Sequence, residues 1–375
     1  MSEEQGADPG VSVPEGIEGP AVEAWFRTNV PAAEPPLRFE RISGGRSNLT
    51  YAVEDAAGHR WALRRPPLGE RLGSAHDMGR EHRVITALAG TDVPVPPVAG
   101  YCPDESVTGA PFYVMEFVAG PVLRTKEEAE AAFDEEERRA IGERVIDTLA
   151  AIHSIDPDEV GLGDLGRKED YVARTLRRWS GQWERSKTRE LPLVDEVHRA
   201  LAGRIPEQGP ATIVHGDYRL DNVILSERGE VAAVVDWELC TLGDPLADVG
   251  LLLVYWAEEG DELTPLTRPG TMARGFPSRE EVKRRYAERS GRDLGQIDFY
   301  VALGCWKLAI ILEGVYARFA AGQYGRNAEV QEGLRVLAET VERLAQEAQA
   351  AVGRTPSAGS PARRRAGGRR PPPPA

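Results

Sequence analysis

Near Phe117–Pro121 the sequence changes its hydrophobic periodicity once, and that single switch limits the architectures open to the chain. Before it, residues 37–118 hold short alternating or β-rich runs: LRFERI, LTYAVE, RWALRR, PPVAGY and FYVMEF. Such runs predict strands. One helical stretch, HDMGREHRVITALAG, interrupts them. After Gly120 the spacing predicts helices over 134–154, 167–187, 192–203, 245–257, 279–290, 297–320 and 326–350, and only 212–236 returns to strand type. A β-rich stretch followed by a helix-rich one predicts an α+β fold of two lobes. The chain of 375 residues is long enough to bury a core in each. The expected layout is a disordered N-terminus over 1–20, an N-lobe over 21–118, a helical C-lobe over 119–350 and a disordered Arg/Pro tail over 354–375.

Composition closes off several functions. A net charge of −14 argues against broad nucleic-acid binding. The longest apolar run recognised, Val249 to Ala257, is too short to span a bilayer, so no membrane contact is expected. The start MSEEQGADPG lacks the apolar stretch of a secretory signal. Cys102, Cys240 and Cys305 are scattered, with neither metal-ligand nor disulfide-framework spacing, which fits a reducing, cytoplasmic location.

The chemistry concentrates in ATIVHGDYRLDNVILSERGEVAAVVDWELCTLGDPLADVG. VILS and VAAVVD are two apolar runs joined by Glu227-Arg228-Gly229, which reads as a hairpin. A hairpin brings Asn222, before its first strand, beside Asp236, at the end of its second. Asp217 lies five residues before Asn222, in the loop that feeds the hairpin. Three oxygen-bearing side chains therefore converge. Hard oxygen ligands suit Mg²⁺, which keeps waters and phosphates as its other ligands. A carboxylate outside the metal shell can orient or deprotonate a hydroxyl.

The segment resembles the catalytic core of the aminoglycoside phosphotransferase and choline kinase superfamily, which has the protein-kinase-like fold. Its H-G-D-x₄-N spacing matches the kinase catalytic loop. The resemblance implies ATP and Mg²⁺ as cofactors, Asp217 as catalytic base, and Asn222 and Asp236 as metal ligands. It gives Asp248 and His215 supporting roles behind the catalytic loop, Asp248 by accepting backbone hydrogen bonds. Gly216 stands where protein kinases carry an arginine, and the A-P-E element is missing. A small-molecule hydroxyl acceptor is therefore expected rather than a protein.

The same resemblance makes the β-rich lobe the nucleotide site. In ISGGRSNLTYAV, Gly44 and Gly45 let the backbone approach phosphates, and Ser47 and Asn48 can donate to them. Strand alternation puts Ala62 and Arg64 on one face, with Ala62 over adenine and Arg64 in place of the usual lysine. Arg65 falls on the other face, expected to be surface. Glu81 occupies the family position that pairs with the cation. Backbone groups near Glu116 and Val118 are expected to take the adenine edge.

GGRSNLTY, ALRRPP, HGDYRLDN and DWELCTLGDPLADVG together are most similar to the kinase-like domains found beside, or fused to, acyl-CoA dehydrogenases. That likeness implies a hydroxyacyl-CoA type acceptor and an acyl-CoA dehydrogenase partner. Residues 167–189 hold eight Lys or Arg against three acids, and Arg174, Arg177 and Arg178 share a helical face by spacing. They are the candidate acceptor-site residues for an anionic acceptor. Two other readings stay open: a non-catalytic nucleotide-binding partner of a dehydrogenase, and an antibiotic kinase with a cationic aminoglycoside acceptor.

Overall fold

The computed structural model describes residues 13–42, 48–69, 77–261, 268–322 and 327–354. The expected tail beyond Arg354 and the first twelve residues lie outside them. The chain opens with α1 (Gly19–Asn29), β1 (Arg38–Arg41), β2 (Leu49–Glu54), β3 (Arg60–Arg65), α2 (Met78–Leu88), β4 (Val98–Cys102) and β5 (Phe112–Glu116). The five strands form one antiparallel sheet in the order β1-β2-β3-β5-β4. The helical lobe holds α3 (Lys126–Ala132), α4 (Glu135–Ser154), α5 (Tyr171–Ser186), α6 (Pro192–Ala202), β6 (Thr212–Val214), β7 (Val223–Leu225), β8 (Val231–Val234), β9 (Thr241–Gly243), α7 (Leu246–Tyr255), α8 (Arg279–Ser290), α9 (Ile297–Ala320) and α10 (Ala328–Arg354). This is the α+β, two-lobed, kinase-like architecture.

Alternation along β3 decides which side chains meet the cleft. Trp61 and Leu63 join the core under α1, with Val22, Phe26, Phe112 and Val114. Ala62 joins the core on the other face, with Val84, Tyr113 and Met115. Arg64 follows Ala62 by two residues and so faces α2 and the helical lobe.

Two expectations need correction here. Residues 13–20, expected to be disordered, are placed: Ile17 is buried, and the Tyr51 hydroxyl donates to the Glu15 carbonyl at 2.6 Å. Helix α1 follows, with Pro20 in its first turn and Val22 and Phe26 on one buried face. Arg65, expected at the surface, is buried, because α1 and its leader cover that side of the sheet. Its guanidinium donates to the Thr108 carbonyl at 2.8 Å and to the Gly16 carbonyl.

In the helical lobe, α4 starts on a capping box in which Asp134 and Glu137 satisfy each other's backbone N–H groups. Ser278 and Glu281 do the same for α8. Helix α9 is the central element, packed against α7, α10, α5 and α6. By length and composition α9 could cross a bilayer, against the expectation that no apolar run is long enough; most of its apolar stretch is buried inside the protein.

Candidate active site

The hairpin β7–β8 forms as expected, with Val223 opposite Val234. Gly229 makes the turn at φ +70°, and a β-carbon there would press on Ile141. Antiparallel pairing closes the site at the other end of the hairpin. The Val235 N–H donates to the Asn222 carbonyl at 3.0 Å, which sets Asp236 beside Asn222. Asn222 Nδ2 donates to the Asp217 carbonyl at 2.8 Å, so Asp217, Asn222 and Asp236 occupy one corner of the cleft.

Behind this corner sits Asp248 at the start of α7. It accepts the His215 N–H at 2.7 Å, the Gly216 N–H at 2.9 Å and His153 Nε2 at 3.3 Å. Burial pushes its carboxyl up, but His153, His215 and the Gly216 N–H outweigh that and hold it below the ordinary value. Gly216 lies at φ +88°, and a β-carbon there would press on the Leu239 carbonyl, so no side chain fits. His215 is fully buried, bonds the Val235 carbonyl at 3.1 Å and packs at a tilt against the Trp237 ring. It braces the loop and has no access to the cleft.

Asp217 is partly exposed beside Arg219 Nε at 3.5 Å. Burial pushes its carboxyl up from the ordinary aspartate value, while Arg219, Lys307 and His215 pull it down. The cation–π contact of Arg219 with Tyr255, at 5.1 Å, fixes that guanidinium beside the carboxylate.

On the facing lobe Arg64 spans the cleft. Its Nε donates to Glu81 at 3.1 Å, its Nη1 to Thr50 at 3.3 Å, and its Nη2 to Asp236, with Glu238 at 3.6 Å. Burial raises the Glu81 carboxyl, and Arg64 pulls it back. Asn48 is buried and donates to Glu238 at 2.8 Å, joining the two lobes rather than standing free over a nucleotide. Gly44, Gly45 and Ser47 lie outside the described residues. Ala62 sits opposite Met115 as the alternation requires. The Glu116 N–H is already given to the Pro97 carbonyl at 2.8 Å, so that donor is not available to adenine. Val118 follows in the connecting segment, half-buried.

A cavity of about 440 Å³ opens beside Gly216. Among its lining residues are Arg80, Arg167, Arg174, Arg178, Lys307 and Trp179. Helix α5 contributes Tyr171, Arg174, Thr175, Arg178 and Trp179, a stripe at helical spacing. Arg177 is exposed and does not line the cavity, which corrects its place among the acceptor-site candidates. Lys307 of α9 donates to the Gly216 carbonyl at 3.1 Å. Burial pushes its ammonium below the ordinary lysine value, and Asp217 and Asp248 pull it back. Lys307, Arg80, Arg219 and Glu238 were missed by sequence reading. Only Lys307 carried a signal, as a lone cation inside the apolar run GCWKLAII.

Fold and corner together define a kinase-like phosphotransferase. The chain belongs to the phosphotransferase enzyme family, whose model matches residues 38–300. Acyl-CoA dehydrogenase family member 10 of Mus musculus is 36% identical over 302 residues, covering 80% of this chain and 28% of that protein. Family member 11 of Rattus norvegicus is 32% identical over 313 residues, covering 80% and 40%. The chain thus spans well under half the length of these relatives. A crystal structure from Ralstonia eutropha, provisionally described as an aminoglycoside phosphotransferase, superposes with TM-score 0.74 at 33% identity, covering 89% and 99%. The choline kinase of Cryptosporidium parvum superposes with TM-score 0.61 at 12% identity, covering 88% and 96%, a likeness of fold alone.

Proposed function

We propose that the chain transfers the γ-phosphoryl group of ATP, with Mg²⁺, to a hydroxyl of a small anionic acceptor of the hydroxyacyl-CoA type. The observation that carries the chemistry is the corner built by Asp217, Asn222 and Asp236. Asn222 spends its amide nitrogen on the Asp217 carbonyl, which leaves its oxygen for a cation. Across the cleft one guanidinium, Arg64, faces three carboxylates: Glu81, Asp236 and Glu238. That surplus of negative charge, with hard oxygen donors, fits a divalent cation held by Asn222 and Asp236. Mg²⁺ held there would offset the negative charge of the nucleotide phosphates. Arg64, kept in place by Glu81, is the group for the α- and β-phosphates. Asp217 is the base that orients the acceptor hydroxyl and takes its proton. Asp248 and His215 hold the Gly216–Asp217 turn in position for it.

This assignment separates two neighbouring arginines. Arg64→Ala should weaken Mg·ATP binding by the folded fraction about tenfold or more, since a charge-assisted contact contributes about 1.5–3 kcal/mol. Arg65→Ala should leave nucleotide affinity of the folded fraction unchanged and lower the thermal midpoint instead, because it strands buried carbonyls. Nucleotide titration beside a melting curve reads both. Equal loss of nucleotide affinity at the two positions would remove Arg64 from the site.

The anionic acceptor rests on the cavity beside Gly216, which is lined by five cations against three acids, Asp77, Glu238 and the buried Asp248. A polycation would be repelled there. The likeness to acyl-CoA dehydrogenase family members supports an acyl thioester and a dehydrogenase as partner. The three cysteines are free and buried, in keeping with the cytoplasmic location expected from sequence. A coupled ADP-release assay tests the acceptor with hydroxyacyl-CoAs, choline-like amines and aminoglycosides. Hydroxyacyl-CoA turnover is expected, and Arg174→Glu or Arg178→Glu should raise its KM at least about tenfold, with a salt-sensitive KM. Arg177→Glu should change it little. Turnover of aminoglycosides without any of acyl-CoAs would reverse the acceptor assignment.

A further inference from the structure

The geometry points to Lys307, acting with Arg174, as the residue pair that fixes the acceptor by binding an acceptor-only oxygen on it, a carboxylate or carbonyl. This deepens the reading of the cavity as the acceptor site and rests on it.

Three observations carry the inference. Lys307 sits in the middle of α9, between Trp306 and Leu308, which are both buried in the core. A lysine has no packing reason to interrupt such a helix, and a buried ammonium is unfavourable unless it is satisfied. Its hydrogen bond to the Gly216 carbonyl uses one of three donors. The Trp179 ring, 5.7 Å from Nζ, covers one side, and the cavity takes the rest. Second, Arg174 lines the same cavity, and its Nη1 is buried without a hydrogen-bond partner among the described residues, while Nη2 is given to the Arg167 carbonyl at 2.7 Å. A buried guanidinium N–H left over is a donor awaiting an acceptor. Third, Lys307 is tied to the residue just before Asp217. Whatever oxygen Lys307 holds is thereby placed at a set distance from the carboxylate that receives the hydroxyl proton.

Lys307 and Arg174 together offer only donors and positive charge. Where these two line the cavity, it therefore selects an oxygen with no proton to give and disfavours an ammonium group. Arg80, Arg167 and Arg178 also line the cavity and add to the field.

Calorimetric titration of the 375-residue chain with 3-hydroxybutyryl-CoA, and separately with Mg·ATP, tests this. Wild type is expected to bind the thioester. Lys307→Met and Arg174→Met should each raise its Kd at least about tenfold, equal to about 1.4 kcal/mol. Lys307→Arg should stay within about threefold, and Mg·ATP affinity should move by less than about twofold in all three. Absence of thioester binding by wild type overturns the inference, and so does native affinity in Lys307→Met. Parallel loss of both ligands in Lys307→Met and Lys307→Arg does the same, since it would mean that Lys307 only props the Gly216 turn. If Lys307→Met fails to fold, Arg174→Met and Lys307→Arg decide. Turnover is read separately. Lys307-dependent binding without any ADP release would overturn the kinase reading and leave this one standing.

Discussion

Asp217→Asn is expected to lower turnover by about 10²–10⁴-fold, the usual range for removing a general base, while Mg·ATP affinity stays within about twofold. The substitution is nearly isosteric, and the shorter link from Asn222 runs to the backbone carbonyl of residue 217 at 2.8 Å, against 3.4 Å to its carboxylate. The metal-binding amide should therefore keep its orientation. Acceptor affinity should not fall either, because Arg219 and Lys307 lose a competing negative partner. The base works as the ionised carboxylate, so activity rises as pH climbs through the Asp217 pKa. Burial holds that pKa above the ordinary aspartate value, which places the acid limb of the wild-type profile higher than for an exposed aspartate. The limb should vanish from the residual activity of the variant. Single-turnover rates across pH, with a nucleotide titration, check all of this. Turnover within a few-fold of wild type would take Asp217 out of the mechanism.

What the sequence made legible was local. The hairpin declares itself through Gly229 between two apolar runs, and once it forms, Asn222 and Asp236 must be neighbours. Arg64 and Ala62 follow from a period of two in β3. The same period placed Arg65 on the opposite face but could not say whether that face is covered. Its cover is α1, hidden because Val22 and Phe26 are few and follow a Gly/Pro/acid-rich leader. Arg177 failed for an angular reason. The cavity stripe on α5 centres on Thr175, and at about 100° per residue Arg177 lies about 200° round the helix, whereas Arg174 and Arg178 flank the centre more closely. Lys307 and Arg80 escaped notice because they reach the catalytic loop and its neighbouring segment only through tertiary packing. Lys307 meets Gly216 across 91 residues of sequence, and Arg80 meets the Cys240 carbonyl across 160. No period or spacing encodes such meetings.

Asp236→Asn should abolish productive Mg·ATP binding, with an affinity loss of at least about 100-fold, since even outer-sphere partners of a metal typically contribute 10–100-fold. Asparagine is the better probe than alanine here. Asp236 sits in the left-handed region at φ 68°, ψ 57°, where Asn is tolerated and Ala adds backbone strain. The two losses would be confounded in Asp236→Ala. The charge arrangement gives the variant a second, opposite signature. In the protein as it stands, Arg64 is shared among Glu81, Asp236 and Glu238. Removing the Asp236 charge leaves that guanidinium freer to meet phosphate oxygens directly. Affinity for ADP without Mg²⁺ should therefore hold or rise modestly, while the gain on adding Mg²⁺ disappears. Titrating a fluorescent ADP analogue with and without Mg²⁺ separates the two effects. If Asp236→Asn keeps a native Mg²⁺ dependence, the metal is not held at this corner. If ADP affinity falls equally with and without Mg²⁺, Asp236 acts by holding Arg64 in place and not as a ligand.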